Sequence, residues 1–151
     1  MTDGPSHAAF LARDADYLAR ARANMDTPVA RDFFRFEEVH IAPGEVHLAI
    51  DLRPELGHAP GWFQGSVTTA IAEIAAGVSA LTLCAADQNM MTVDQSITFT
   101  GPARGQRLVA RGRVLKPGRS ITICQCEVFV VEDGAERLCG VMLQTNHQSG
   151  G

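Results

Sequence analysis

Hydrophobic positions along this chain change their period twice, and those changes predict its elements. Over residues 34–41 apolar side chains alternate with polar ones. After the turn Pro43-Gly44 the alternation resumes, with Val46, Leu48, Ile50 and Leu52 set against His47, Ala49, Asp51 and Arg53. This is a hairpin with a half-buried second strand. Residues 53–61 read as an irregular loop rich in turn formers. The period then becomes helical over residues 62–84, where Val67, Ile71, Ile74, Val78 and Leu81 recur at steps of four and three on one face. Thr69, Ala76, Gly77 and Ala80 lie opposite, with Glu73 as the single charge. A helix apolar on both sides is one that other elements enclose.

Period two returns over residues 91–99, with Met91, Val93, Ile97 and Phe99 on one face and Thr92, Asp94, Ser96 and Thr98 on the other. Gly101-Pro102 ends that strand. Three more follow at 107–116, 120–132 and 137–148, the first with Leu108, Ala110, Gly112 and Val114 inward. Tight turns at Pro117-Gly118 and Asp133-Gly134 join them, so they run antiparallel. Upstream, residues 6–24 are expected to form a helix on the outside of the core. Phe10, Leu11 and Leu18 supply its apolar side, Pro5 and Ser6 its start, and Asn24 with Pro28 its stop. The tail Ser149-Gly150-Gly151 is expected to fray.

Two strands, a long apolar helix and four more strands predict an α+β architecture, an antiparallel sheet curled around the central helix. One domain over residues 1–151 fits this length, with 1–28 as a helical extension. A formal net charge of -4 argues against a nucleic-acid binder with a broad basic surface. No basic segment followed by an apolar one opens the chain, which predicts no secretory leader. Glu73 and several Thr and Ser make the central helix a poor membrane span, so a soluble protein is expected. Cys124-Gln-Cys126 would place two thiols on one strand face. That spacing suits neither a zinc site nor a disulfide. With Cys84 and Cys139, these read as buried reduced thiols of a cytoplasmic protein.

The chemistry concentrates on Glu73. A carboxylate on a dry helix must find donors or a proton, and carboxylates so placed are often catalytic. Pairing with a basic residue is the structural alternative. The stretch Gly61-Trp-Phe-Gln-Gly-Ser-Val-Thr-Thr-Ala-Ile-Ala-Glu-Ile-Ala-Ala-Gly77 resembles the helix motif of PaaI-like (phenylacetate-pathway) acyl-CoA thioesterases of the hotdog fold. The resemblance continues through Thr92-Val-Asp-Gln-Ser-Ile-Thr-Phe-Thr-Gly-Pro-Ala-Arg-Gly105 and Arg111-Gly-Arg-Val-Leu-Lys-Pro-Gly-Arg-Ser120. It implies that Glu73 is the nucleophile toward a thioester carbonyl or the general base for water. It also implies that the backbone N–H of Gly65 polarises that carbonyl. Independently, a helix N-terminus offers unsatisfied N–H groups, and Gly lets a ligand approach them.

This sequence departs from, or blurs, the family motif at three positions. Gln64 stands where His is commoner, leaving an amide that can donate to the carbonyl or anchor the loop, and Ser66 replaces a second Gly. His58 falls where related enzymes carry Asn or Gln against the reacting group, or else it is a solvated loop histidine. Thr92 matches a Ser/Thr position that helps hold water or substrate. For coenzyme A phosphates the resemblance suggests Arg104, Lys116, Arg119 and Ser120. No metal or separate cofactor is expected, coenzyme A being part of the substrate. His40, His47 and His147 have no ligand-like spacing. Uncovered strand edges predict a homodimer at least, and a homotetramer in the fuller assembly. Two other readings are a non-catalytic acyl-CoA or aromatic-ligand binder and a hotdog hydratase or dehydratase. The latter class pairs Asp with a nearby His, which is missing beside Glu73.

Overall fold

The alternating segments zip into one antiparallel sheet around the apolar helix. The computed structural model describes residues 9–150. In chain order these form α1 (Tyr17–Met25), a π-helical turn Val29–Phe34, β1 (Glu37–Ala42), β2 (Glu45–Asp51), a 3-10 turn Pro54–Leu56, β3 (Gly57–Ala59) and β4 (Trp62–Phe63). Then come α2 (Gly65–Leu81), β5 (Gln88–Thr98), β6 (Arg107–Lys116), β7 (Ile121–Glu132) and β8 (Ala135–Gly150). The main sheet runs β1-β2-β6-β7-β8-β5, and β3-β4 is a small separate hairpin. Helix α2 touches β2, β5, β6, β7 and β8, so the sheet wraps it as the alternation predicts. Contact is closest at β6, where a Cβ on Gly112 would lie 2.5 Å from the Ala75 carbonyl. Only a glycine there lets helix backbone rest directly on strand.

Several boundaries differ from expectation. The N-terminal helix begins at Tyr17 and not near Ser6; the proposed start at Pro5-Ser6 lies outside the described residues. Asp14 explains the late start, since its carboxylate accepts the Asp16 N–H at 2.9 Å, a local turn that competes with helix. Phe10 packs beneath Gly44 at the β1–β2 turn, and Leu11 is exposed. The first strand starts at Glu37 because Arg35 adopts a left-handed φ of 58°, which breaks extended backbone. Residues 53–61 are more ordered than a loop, holding the 3-10 turn and β3. Pairing of β4 with β3 delays α2 to Gly65, and the helix stops at Leu81 with Thr82 as its cap. At the tail, Ser149 and Gly150 pair with Asn89 and Gln88; Gly151 lies outside the described residues.

One side chain ties the extension to the core. Arg20 donates to the carbonyls of Ala85 (2.7 Å), Leu81 (3.3 Å) and Cys84 (3.2 Å) and pairs with buried Asp14 at 3.0 Å. These carbonyls belong to the last residue of α2 and the turn that follows it, and a cation suits that end of the helix dipole. Arg20→Ala therefore strands a buried carboxylate and should lower stability by about 3–5 kcal/mol in chemical denaturation. A loss under 1 kcal/mol would show that the extension does not brace α2.

Candidate active site

Enclosure of α2 is one-sided, and the open side carries Glu73. Val67, Ile71, Val78 and Leu81 are buried as the periodicity predicts, but so are Ala76 and Ala80. Ser66, Thr69, Ala70, Glu73, Ile74 and Gly77 form an exposed or half-buried stripe, so the expectation of a helix dry on all sides is corrected. The sheet covers one flank, and α1 lies against α2 without closing this stripe.

Strand β5 brings the first partner. Its register with β8 slips between Thr92 and Asp94, leaving Val93 as an extra residue. Such a bulge switches which side chains face inward. Met90 and Thr92 point toward the helix before it and Ile97 after it, while Met91 and Val93 face out at 64% and 56% exposure. The expected single face Met91-Val93-Ile97-Phe99 is thus split in two. Thr92 Oγ1 donates to Glu73 Oε1 at 2.7 Å. Beneath it the fully buried Gln144 donates from Nε2 to Thr92 Oγ1 and to Asn146 Oδ1, both at 3.0 Å. A hydroxyl that accepts from an amide keeps its one proton for the carboxylate, so this chain of bonds orients Thr92 toward Glu73. Asn146 then donates to Cys124 Sγ at 3.5 Å. Gly77 makes room, since a Cβ there would stand 3.3 Å from the Gln144 amide.

Gln144 and Asn146 were not singled out from sequence. The available signal is their phase: with Met142 and Gln148 they occupy the inward positions of β8, where polar side chains need partners. All four cysteines are free and buried, and burial pushes the Cys124 and Cys139 thiols up to about 11. They are neutral and unreactive at physiological pH. Among the described residues no Lys, Arg or His forms an ion pair with Glu73.

Glu73 and Thr92 stand where two depressions meet. One, of about 520 Å³, runs under the N-terminal segment. The other, of about 870 Å³, is a shallower groove past Ser66, Thr69, Ala70, Val93, Asp94 and Gln95. Gly65 lies at the head of α2, where its N–H has no intrahelical acceptor and the ring of Phe99 packs against its Cα. Gln64 is the N-cap residue without a side-chain cap bond; its carbonyl accepts the Val67 and Thr68 N–H groups. Eight residues of helix put Gly65 about 12 Å from Glu73 along the axis. One chain therefore does not aim both groups at the same carbonyl.

The remaining candidates scatter. His58 is exposed on β3, near the Trp62 ring, in a separate cavity of about 450 Å³ that Glu73 does not line. Arg104 pairs with Glu132 at 3.5 Å, beside the start of β6. Lys116, Arg119 and Ser120 are exposed at the far end of that strand, about 30 Å away at strand rise. The four residues expected at coenzyme A phosphates thus form two separate groups within one chain.

Comparison with known proteins agrees with this fold. Residues 63–136 match the family model described as Thioesterase superfamily. A thioesterase family protein from Silicibacter pomeroyi superimposes with a TM-score of 0.86 at 26% identity, covering 89% of this chain and 99% of that one. A thioesterase from Haemophilus influenzae gives 0.78 at 16%, covering 93% and 96%. The Escherichia coli PaaI protein from the phenylacetic acid degradation operon gives 0.77 at 13%, covering 90% and 95%. The last two, at such identity, speak to fold alone. No curated protein matches the chain. The chain has the hotdog fold of these structures, similar in architecture to PaaI, and its residues 63–136 match the Thioesterase superfamily model. Among its described residues no helix is long and apolar enough to cross a membrane.

Proposed function

We propose that this protein is an acyl-CoA thioesterase in which Glu73 drives attack on the thioester carbonyl. The observation that carries the reading is the Glu73–Thr92 pair at the junction of an apolar cavity and an open groove. Glu73 either adds to the carbonyl carbon, giving an anhydride that water opens, or takes a proton from the water that adds. Both routes expel the thiolate of coenzyme A and yield the free acid. Thr92, oriented from below, holds one oxygen of Glu73 where that residue lines the groove. Among the described residues no histidine lines either depression touching Glu73, which disfavours the hydratase reading.

The developing oxyanion needs a donor, and the 12 Å span to Gly65 of the same helix supports an answer from a second copy of the chain. Strand β5 is an edge of the sheet, with Met91 and Val93 exposed on it and the small-residue stripe of α2 alongside. Two chains paired there would set the head of one α2 against Glu73 of the other, closing the groove to water. Release of free thiol from a panel of acyl-CoAs tests the activity. Binding without any release would favour a non-catalytic ligand binder.

The turn at Lys116 and Arg119 is proposed to meet coenzyme A phosphates. Arg119→Ala should raise KM and leave kcat nearly unchanged, because such a contact is equal in ground and transition states. Added salt should then weaken wild type more than the variant. Equal salt sensitivity would remove Arg119 from the site.

A further inference from the structure

The cavity beside Glu73 has a wall that the superfamily match does not include. The match spans residues 63–136, whereas Met25, Val29 and Ala30 come from the N-terminal segment and face Ile74, Val78 and Leu81 of α2 across the cavity. Apart from Glu73 at its mouth, no charged residue lines this space among the described residues. Coenzyme A phosphates therefore have no cation to meet there, whereas an apolar group gains by leaving water against Met25, Val29, Ile74, Val78 and Leu81.

The wall is built rather than draped. After α1 the chain enters the π-helical turn Val29–Phe34, a geometry that is rare and concentrated at functional sites. Arg53 holds the turn from outside, donating to the carbonyls of Phe34, at 3.1 Å, and Phe33. Ala30 is thereby buried while Val29 extends along the rim.

We propose that this chamber is the acyl subsite, selecting an apolar acyl group of medium length, with Met25, Val29 and Ala30 setting the limit. This rests on the thioesterase reading and deepens it. The carbonyl belongs at Glu73 and Thr92, so the acyl chain leads from there along α2 toward Leu81. That path is about 12 Å at helical rise. An extended chain advances about 1.2 Å per bond, from about 3.5 Å per three-bond residue. The chamber thus takes roughly ten carbons, and a sixteen-carbon chain overruns it. An aryl-acetyl group presents the same chemistry in a shorter, wider form.

Two linked measurements test this. The first is binding of non-hydrolysable alkyl thioethers of coenzyme A, from two to sixteen carbons, to the Glu73→Gln variant. Affinity should rise by up to about fourfold per added methylene and level off near ten carbons. The second is kcat/KM for acetyl-, octanoyl- and phenylacetyl-CoA in wild type, Val29→Trp and Met25→Ala. Val29 is 55% exposed, so the larger ring is compatible with folding, as a thermal melt will verify. Val29→Trp should lower the octanoyl value at least tenfold and leave acetyl within twofold. Met25→Ala should shift the length limit to longer chains. The octanoyl and phenylacetyl arms separate an aliphatic occupant from an aryl one. Affinity independent of chain length, or variants that change all three substrates equally, overturns the proposal. Length-dependent binding with no thiol release would instead sustain the subsite and refute the hydrolase reading.

Discussion

Glu73→Gln will reduce kcat by about 10²-fold or more, as loss of a general base or nucleophile does, with substrate affinity preserved. The amide keeps an oxygen to accept the Thr92 proton, so the bond to Thr92 survives the change. Stability is expected to be unchanged. Glu73 is half-buried, and no described cation pairs with it, so the substitution strands no partner. Had it closed a buried ion pair, the same change would cost about 3–5 kcal/mol. Initial rates and thermal melts of this one variant separate the two roles. A folded variant with full thiol release would end the catalytic assignment.

Val93→Asp will split the assembly and take the activity with it. Val93 is the bulged residue of edge strand β5, and its side chain packs into no core of its own chain. A carboxylate there costs the monomer little, but it opposes pairing of two such edges. Wild type should scatter light as a dimer or larger at micromolar concentration, and the variant as a monomer with unaltered circular dichroism. Because Gly65 and Glu73 stand about 12 Å apart on one helix, the proposed site loses its Gly65 donor in the monomer. Removing such a donor lowers kcat by about 10²–10³-fold. A fully active monomeric variant, or a wild type that is itself monomeric and active, would sink the shared site.

Periodicity found β6 and β7 nearly to the residue, because tight turns at Pro117-Gly118 and Asp133-Gly134 bound them. It also marked Glu73, the lone charge in an apolar helix, whereas Thr92 was named only by the family resemblance. It misjudged the start of the chain, where Asp14 and Arg35 interrupt regular structure by local bonding and by a left-handed φ that no hydrophobic pattern encodes. Phase failed at β5 for a similar reason. One bulged residue inverts the alternation, and nothing in Met91-Thr-Val-Asp-Gln marks Val93 as the extra one.

The sequence by itself determined the α+β class, the order of the main elements, the inward faces of β2 and β6 and the single carboxylate of the central helix. Those features depend on local period and turn chemistry, which act between near neighbours. Only the tertiary structure decided what Glu73 touches. Residues 73, 92, 144 and 146 meet because β5 and β8 pair across the sheet under Gly77. Tertiary structure also separated Arg104 from Arg119 along β6, removed His58 from Glu73 and laid the N-terminal segment over the cavity. Each of these is a distance between residues far apart in the chain, and such distances follow from packing, which hydrophobic period does not specify.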